Sequence, residues 1–256
     1  MLNSFPKPST ALVIGASGGI GLALVRQLLD SDGVGQVVAC ARSPDRSESL
    51  NTLSERHGQR LDLVALDVTC PQTIAATAER LKQARLRPQL VLNAAGLLHD
   101  DDGLAPEKRL EDLDLESLHR VFAVNALGPA LCLRHFLPLM SRDGKAVFAA
   151  LSARVGSIGD NRLGGWYAYR SSKAALNQLL RTASIEARRR FANVIIAALH
   201  PGTTDTGLSA PFQANVPDDK LFSPEFVAER LLKVIDGLDN DDSGGFFAWD
   251  GQSIPW

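Results

Sequence analysis

Residues Thr10-Ala11-Leu12-Val13-Ile14 form a short apolar run that passes directly into Gly15-Ala16-Ser17-Gly18-Gly19-Ile20-Gly21. Leu24, Val25, Leu28 and Leu29 then follow at helical spacing. A buried strand, a glycine turn and an amphipathic helix within about twenty residues make the start of a βαβ unit. Each glycine has a physical task there. Gly15 permits the tight turn, Gly19 lets backbone approach a pyrophosphate, and Gly21 allows close helix–strand packing. The free N–H groups and positive end of the helix then face phosphate. The spacing is G-x-x-x-G-x-G, and the competing reading is a plain structural turn.

The same alternation continues along the chain. Apolar runs at Gln36–Cys40, Leu61–Leu66, Gln89–Leu92, Ala146–Leu151, Asn193–Leu199 and Gly245–Trp249 predict further strands. Helical periodicity is expected over 47–57, 72–86, 118–140, from Tyr169 to Arg190, and over 224–238. The strands are apolar without alternation, which argues for a parallel sheet covered on both faces. The expected fold is α/β, one doubly wound Rossmann-type domain over 1–256, with no repeat or linker to divide it. Residues 1–9, with Pro6 and Pro8, read as a loose leader. Residues 97–116, with His99 and aspartates at 100–102, read as a solvated loop. Residues 207–224 read as a flap over a small-molecule site.

Charge narrows the partners. The formal net charge is −2, which supplies no general attraction to nucleic acid or an anionic membrane. Arg188-Arg189-Arg190 is favourable charge at a helix C-terminus, with no aromatic residues interleaved. Cys40, Cys70 and Cys132 lack metal-ligand spacing and read as small buried hydrophobes in a reducing compartment. No metal site is expected. No secretory leader or charge-free membrane span is read, so a cytoplasmic location is expected.

Several residues stand where a parallel sheet places chemistry. At the end of the second strand, where a dinucleotide fold puts the adenosine ribose, Ala41-Arg42 replaces a carboxylate. Arginine suits a 2′-phosphate, so NADP(H) is favoured over NAD(H), although a strand-end arginine can also be merely solvated. Asp67 ends the third strand and either contacts adenine or caps the next helix. Asn93-Ala94-Ala95-Gly96 leaves room for a ligand after the fourth. Asn125, beside Gly128-Pro129, marks a kink or a functional contact within its helix. Ser152 ends the fifth strand, and Thr206 follows the sixth, where it could hold a carboxamide. Tyr169 and Lys173 lie four apart on one helical face. Lysine charge stabilises a phenolate, which makes tyrosine a candidate general acid or base. A surface tyrosine and a solvated lysine are the alternative.

In order and spacing, Gly15…Gly19-Ile20-Gly21, Asp67-Val68, Asn93-Ala94-Ala95-Gly96, Asn125, Tyr169-x-x-x-Lys173, Pro201-Gly202 and Asp250-Gly251 resemble the short-chain dehydrogenase/reductase family. The run from Gly164 to Asn177 is similar, more narrowly, to the C-factor and sniffer-type carbonyl reductases. The resemblance implies that Tyr169 is the proton donor in reduction and that Lys173 lowers its pKa. It implies that Asn125 reshapes its helix to anchor a proton-relay water. Gly15, Ser17, Gly19, Ile20 and Gly21 would surround the pyrophosphate, Arg42 the 2′-phosphate, and Asp67 with Val68 the adenine. Asn93, Ala94 and Gly96 would line the ribose path, with Tyr169 and Lys173 beyond. Pro201, Gly202, Thr204 and Thr206 would meet the carboxamide.

Two departures stand out. Ile14 replaces the family's threonine before the first glycine. The usual Ser-Ser pair reads Ser152-Ala153, and the loop to Tyr169 is enlarged. Ser152 is the expected carbonyl-orienting donor and Ser157 the reserve. If neither reaches, polarisation falls to Tyr169. The expected activity is NADP(H)-dependent reduction of a ketone or aldehyde, with Trp166, Leu208 and Phe212 as wall residues. The alternative is an NADP(H)-binding signalling or interaction protein with vestigial catalysis. A homo-oligomer, dimer or tetramer, is expected through the 118–140 and 170–189 helices.

Overall fold

Strand β1, Ser9–Ile14, is flanked by β2, Val34–Ala41, and β4, Leu90–Asn93. With β3 (Leu61–Ala65), β5 (Ala146–Leu151), β6 (Val194–His200) and β9 (Phe246–Ala248) they form one parallel sheet ordered β3-β2-β1-β4-β5-β6-β9. The computed structural model describes residues 2–256, the side chains of Asn215 and Asp218 excepted, so Met1 of the leader lies outside the described residues. The order reverses between β1 and β4. At such a switch point, loops from the two carboxyl ends part and leave a crevice.

Two apolar layers sandwich the sheet, and alternate strand residues feed each. Ala11, Val13, Val37, Ala39, Val147 and Ala149 face one layer, which α1 (Gly19–Leu29), α2 (Glu48–His57) and α7 (Pro224–Gly237) complete. Leu12, Ile14, Val38, Cys40, Phe148 and Ala150 face the other. There α3 (Pro71–Gln83), α5 (Gly128–Phe136) and α6 (Tyr167–Arg190) contribute Ile74, Leu133, Phe136, Leu176 and Leu180. Both layers being apolar explains why the strand sequences do not alternate.

Three expectations change. The leader is not loose: Leu2 and Phe5 are buried. The N–H groups of Asn3 and Ser4 donate to the Asp236 carboxylate at 3.1 and 2.8 Å. The helix expected over 118–140 is α4 (Leu115–Phe122), a π turn at Ala123–Leu127, α5, and a final 3₁₀ turn. The stretch Leu115–Leu139 has the length and composition to cross a membrane, yet 44% of its most apolar window is buried inside the fold. Cys40 and Cys132 are buried as expected, but Cys70 is only half-buried, and all three are free thiols.

The 207–224 segment carries 3₁₀ turns at Ala210–Asn215 and Asp218–Lys220. Short strands β7 (Thr203–Thr204) and β8 (Leu221–Phe222) pair across its base.

Candidate active site

The first glycine turn folds as its sequence demands. Gly15 has φ +80°, and a Cβ there would lie 2.8 Å from the Ala95 nitrogen. A Cβ on Gly21 would lie 2.1 Å from the Gly15 carbonyl oxygen, so α1 can approach β1 only without one. Gly19 faces Thr206, whose Cγ2 would be 2.5 Å from an added Cβ. Thr206 therefore closes over the start of α1 from the flap side.

Beside this turn a cleft of about 840 Å³ runs along the carboxyl ends of β1, β2, β3 and β4. Gly15, Ser17, Arg42, Asp67, Val68, Ala94 and Gly96 all line it. Arg42 is exposed, and no acid stands at positions 40–42. The Asp67 carboxylate accepts from the Thr69 N–H at 2.8 Å and its hydroxyl at 2.7 Å, which folds the turn after β3. Asn93 is 1% exposed, and its Oδ1 accepts from the Ala95 N–H at 3.1 Å. Its Nδ2 has no partner among the described residues. A glycine cradle, an unpartnered buried amide and a strand-end cation all fit a phosphorylated dinucleotide.

Asn125 lies in the π turn and is fully buried. Its Oδ1 accepts from the Leu97 N–H, and its Nδ2 donates to the Leu97 carbonyl, both at 2.8 Å. The Nδ2 also donates to Ser172 Oγ at 3.2 Å. One side chain thus ties the loop after β4 to α6. The expected local distortion is present, and π turns often accompany functional sites.

Tyr169 and Lys173 stand near the start of α6, 9% and 3% exposed. Lys173 Nζ donates to the Leu151 carbonyl at 2.8 Å and lies 5.6 Å from the Tyr169 ring centroid. Burial pushes the Tyr169 phenol up to about 12 and the Lys173 ammonium down to about 8. In the protein alone, desolvation of Tyr169 thus outweighs the expected help from the lysine charge. Gly96 sits between this pair and the flap: an added Cβ would be 4.0 Å from Lys173 Nζ and 3.5 Å from Leu208.

Both expected serines make bonds to other groups. Ser152 Oγ donates to Asn177 Oδ1 at 2.6 Å, and both residues are buried. Asn177 lies eight residues along α6 from Tyr169, about 12 Å of helical rise. Ser157 is 1% exposed, and its hydroxyl accepts from the Asp160 N–H at 3.1 Å. Neither hydroxyl is brought to Tyr169 by any bond.

The remaining expected contacts cluster near the flap. Gly202 has φ +76° and packs against Phe222 and Trp249, just after Pro201. Thr204 is buried, and the Thr206 N–H donates to Ser209 Oγ at 3.3 Å. Ile20, half-buried, packs against the apolar layer beside α1.

Sequence reasoning missed Glu107 and His99, because it took 97–116 for a solvated loop. The loop is anchored instead. Leu98 and Leu104 are buried, and the His99 ring bonds the Gly207 carbonyl of the flap at 3.0 Å. Asp100 pairs with Arg120 at the cleft mouth. Burial opposes ionisation of Asp100, but N–H bonds from Leu104 and Asp102, together with Arg120, win and lower its pKa. The local signal was Leu98 and Leu104 among the charges.

Comparison with known proteins agrees with this geometry. A dehydrogenase of Rhodococcus that acts on 1-hydroxy-2-glutathionyl-2-methyl-3-butene is 31% identical over 97% of this chain and 100% of its own. The C-signal protein of Myxococcus xanthus is 37% identical over 57% of this chain and 83% of its own. An NADPH-bound carbonyl reductase from chicken fatty liver superposes with a TM-score of 0.85 and 30% identity, covering 99% of this chain and 96% of its own. The short chain dehydrogenase profile matches residues 9–217, and with the glycine turn, the π-turn asparagine and the Tyr169–Lys173 pair in place, this chain belongs to that family.

Proposed function

We propose that the protein is an NADP(H)-dependent oxidoreductase that reduces a ketone or aldehyde to an alcohol, with Tyr169 as the proton donor. The observation that carries this reading is the Tyr169–Lys173 pair, packed beside a glycine-lined cleft whose strand-end cation is Arg42. Gly15, Ser17 and the start of α1 would hold the pyrophosphate, Arg42 the 2′-phosphate, and Asp67 with Val68 the adenine. Bound NADPH supplies a hydride to the carbonyl carbon. Similarity to the NADPH-bound carbonyl reductase supports the same cofactor and substrate class here.

The chain's own residues manage the proton. The Tyr169 hydroxyl has no protein bond among the described residues, which leaves it for a substrate oxygen. It donates its proton to that oxygen as negative charge develops. Lys173, fixed by the Leu151 carbonyl, stabilises the resulting phenolate across the ring. Asn125 holds Leu97, so the loop after β4 keeps its place beside Lys173. Because the Ser152 hydroxyl is engaged by Asn177, polarisation of the carbonyl rests on Tyr169. The three free thiols suit a reducing, cytoplasmic compartment.

A second reading keeps cofactor binding without turnover. It is favoured by the engaged Ser152 and by likeness to a protein named C-signal. NADPH oxidation across a panel of quinones, diketones, aromatic aldehydes and small ketones separates the two, with cofactor titration alongside. Turnover with NADPH that vanishes in Tyr169→Phe supports the reductase. Firm binding without turnover on any compound moves the protein to the second reading. In the same assay, a kcat loss of about 10²-fold in Ser152→Ala would return that serine to the carbonyl.

A further inference from the structure

Helix α6 begins on a strained residue. Its N-cap, Trp166, is left-handed at φ 54°, ψ 45°, and no side-chain cap is supplied by the tryptophan itself. Gly164 and Gly165 precede it at φ 65° and 64°. A third glycine would finish this turn without penalty, whereas a tryptophan holds such a conformation only when its surroundings impose it. What the tryptophan adds to the turn is its ring.

Glu107 meets this turn twice, once through its backbone and once through its side chain. Its backbone carbonyl accepts from the Trp166 N–H at 2.5 Å. Its Oε2 accepts from the Ala168 N–H at 3.1 Å, taking the place of the missing cap. The residue is 6% exposed, so its carboxyl is buried at the positive end of the catalytic helix. Arg170 secures the other side, donating from Nε to the Gly165 carbonyl at 2.9 Å.

The ring so held spans the site. The Trp166 indole meets Tyr169 edge-on, centroids 6.1 Å apart, and Phe212 of the flap at 5.0 Å. Phe212 in turn meets His99 at 5.6 Å. A continuous aromatic wall therefore runs from the proton donor to the flap, and Trp166 is the link between them.

Building on the reductase reading, we propose that Glu107 is a positioning residue. It locks Trp166 in its left-handed conformation, and the indole then selects flat, extended aromatic carbonyl compounds over small aliphatic ones at Tyr169.

The test compares 2-acetylnaphthalene with 2,3-butanedione in NADPH-dependent reduction, for wild type, Trp166→Gly, Glu107→Gln, Glu107→Ala and the Glu107→Ala/Trp166→Gly pair. In Trp166→Gly the ratio of kcat/KM, naphthyl ketone over diketone, is expected to fall about tenfold, carried by KM, with the melting temperature no lower. Glu107→Ala reproduces that fall. Glu107→Gln, whose amide oxygen still accepts from Ala168, restores the ratio. The double variant shows no further loss.

An unchanged ratio in Trp166→Gly overturns the proposal. So does a Glu107→Ala variant that loses kcat equally on both substrates, since that marks a plain helix cap. If wild type reduces neither compound, the wider carbonyl panel decides the reductase reading and calorimetry decides this inference. Binding of 2-acetylnaphthalene to the NADPH-saturated protein that is about tenfold weaker in Trp166→Gly supports it, and equal binding overturns it.

Discussion

Tyr169 and Lys173 share one buried environment and respond to it in opposite directions. The phenol keeps its proton up to about 12, while the ammonium gives its proton up near 8. The protonated donor is therefore present throughout the physiological range, and the charge beside it is lost only as pH rises past about 8. We expect kcat/KM for carbonyl reduction to be level below about pH 8 and to fall above it as Lys173 neutralises. A profile level to pH 10 would remove Lys173 from the proton step. Tyr169→Phe should lower kcat by about 10²-fold or more and leave NADPH affinity within a factor of a few. His200 gives a separate signature. Burial, with Arg154 adding to it, lowers its pKa from 6.5 to about 4. The unfolded chain thus takes up a proton that the folded chain refuses, and stability falls as pH drops from 6.5 toward 4. Denaturant titrations across that window check this, and His200→Gln should flatten the slope. Tyr169, Lys173 and Asn125 were legible because helical spacing and a polar break in an apolar run are local signals. Glu107 was not, because its carboxyl finds α6 across 61 residues of chain. The engagement of Ser152 by Asn177, 25 residues away, was equally invisible in the strand that carries the serine.

Elements show the same division. All seven sheet strands were readable, since burial on both faces leaves uninterrupted apolar runs. The long helix after β4 was readable as a helix, and Asn125 beside Gly128-Pro129 marked a kink in it, but the π form of that turn was not readable. A π turn at Ala123–Leu127 adds a residue to one turn, and the apolar pattern on either side absorbs it. The glycine turn predicts two different outcomes for one substitution. Gly21→Ala would drive a Cβ to 2.1 Å from the Gly15 backbone oxygen, so α1 must leave β1. We expect loss of cofactor binding and a large drop in melting temperature. Gly19→Ala meets side chains and no backbone, Thr206 Cγ2 at 2.5 Å and Cβ at 3.1 Å with Pro224 Cγ at 3.8 Å, so a small shift of the flap relieves it. That variant should keep its melting temperature within a few degrees and raise the KM for NADPH. Calorimetry and steady-state kinetics on the pair check both, and equal melting curves would refute the distinction.

At the scale of the whole molecule, exposed apolar residues lie on α4, the π turn and α6. Leu115, Leu127, Leu179 and Ile185 are 66%, 54%, 38% and 51% exposed. Large apolar side chains left in water on neighbouring helices suit an interface between copies of the chain. We expect a dimer or larger by sedimentation equilibrium, and a monomer in Leu127→Glu/Ile185→Glu. A monomeric wild type at micromolar concentration would end that expectation. The two ends of the fold are joined as well. Asn3 and Ser4 rest on Asp236, and Lys145 Nζ bridges Ser4 Oγ at 3.0 Å and the Asp236 carbonyl at 2.8 Å. Helix α7 lies more than two hundred residues further along the chain than the residues it holds here. Leu2 and Phe5 share an apolar layer with Val227, Leu231 and Ile235 of that helix, so their burial is complete only when the helix has docked. Residues 2–5 are thus fully seated only when α7 is in place, and their protection from hydrogen exchange reports that distant docking.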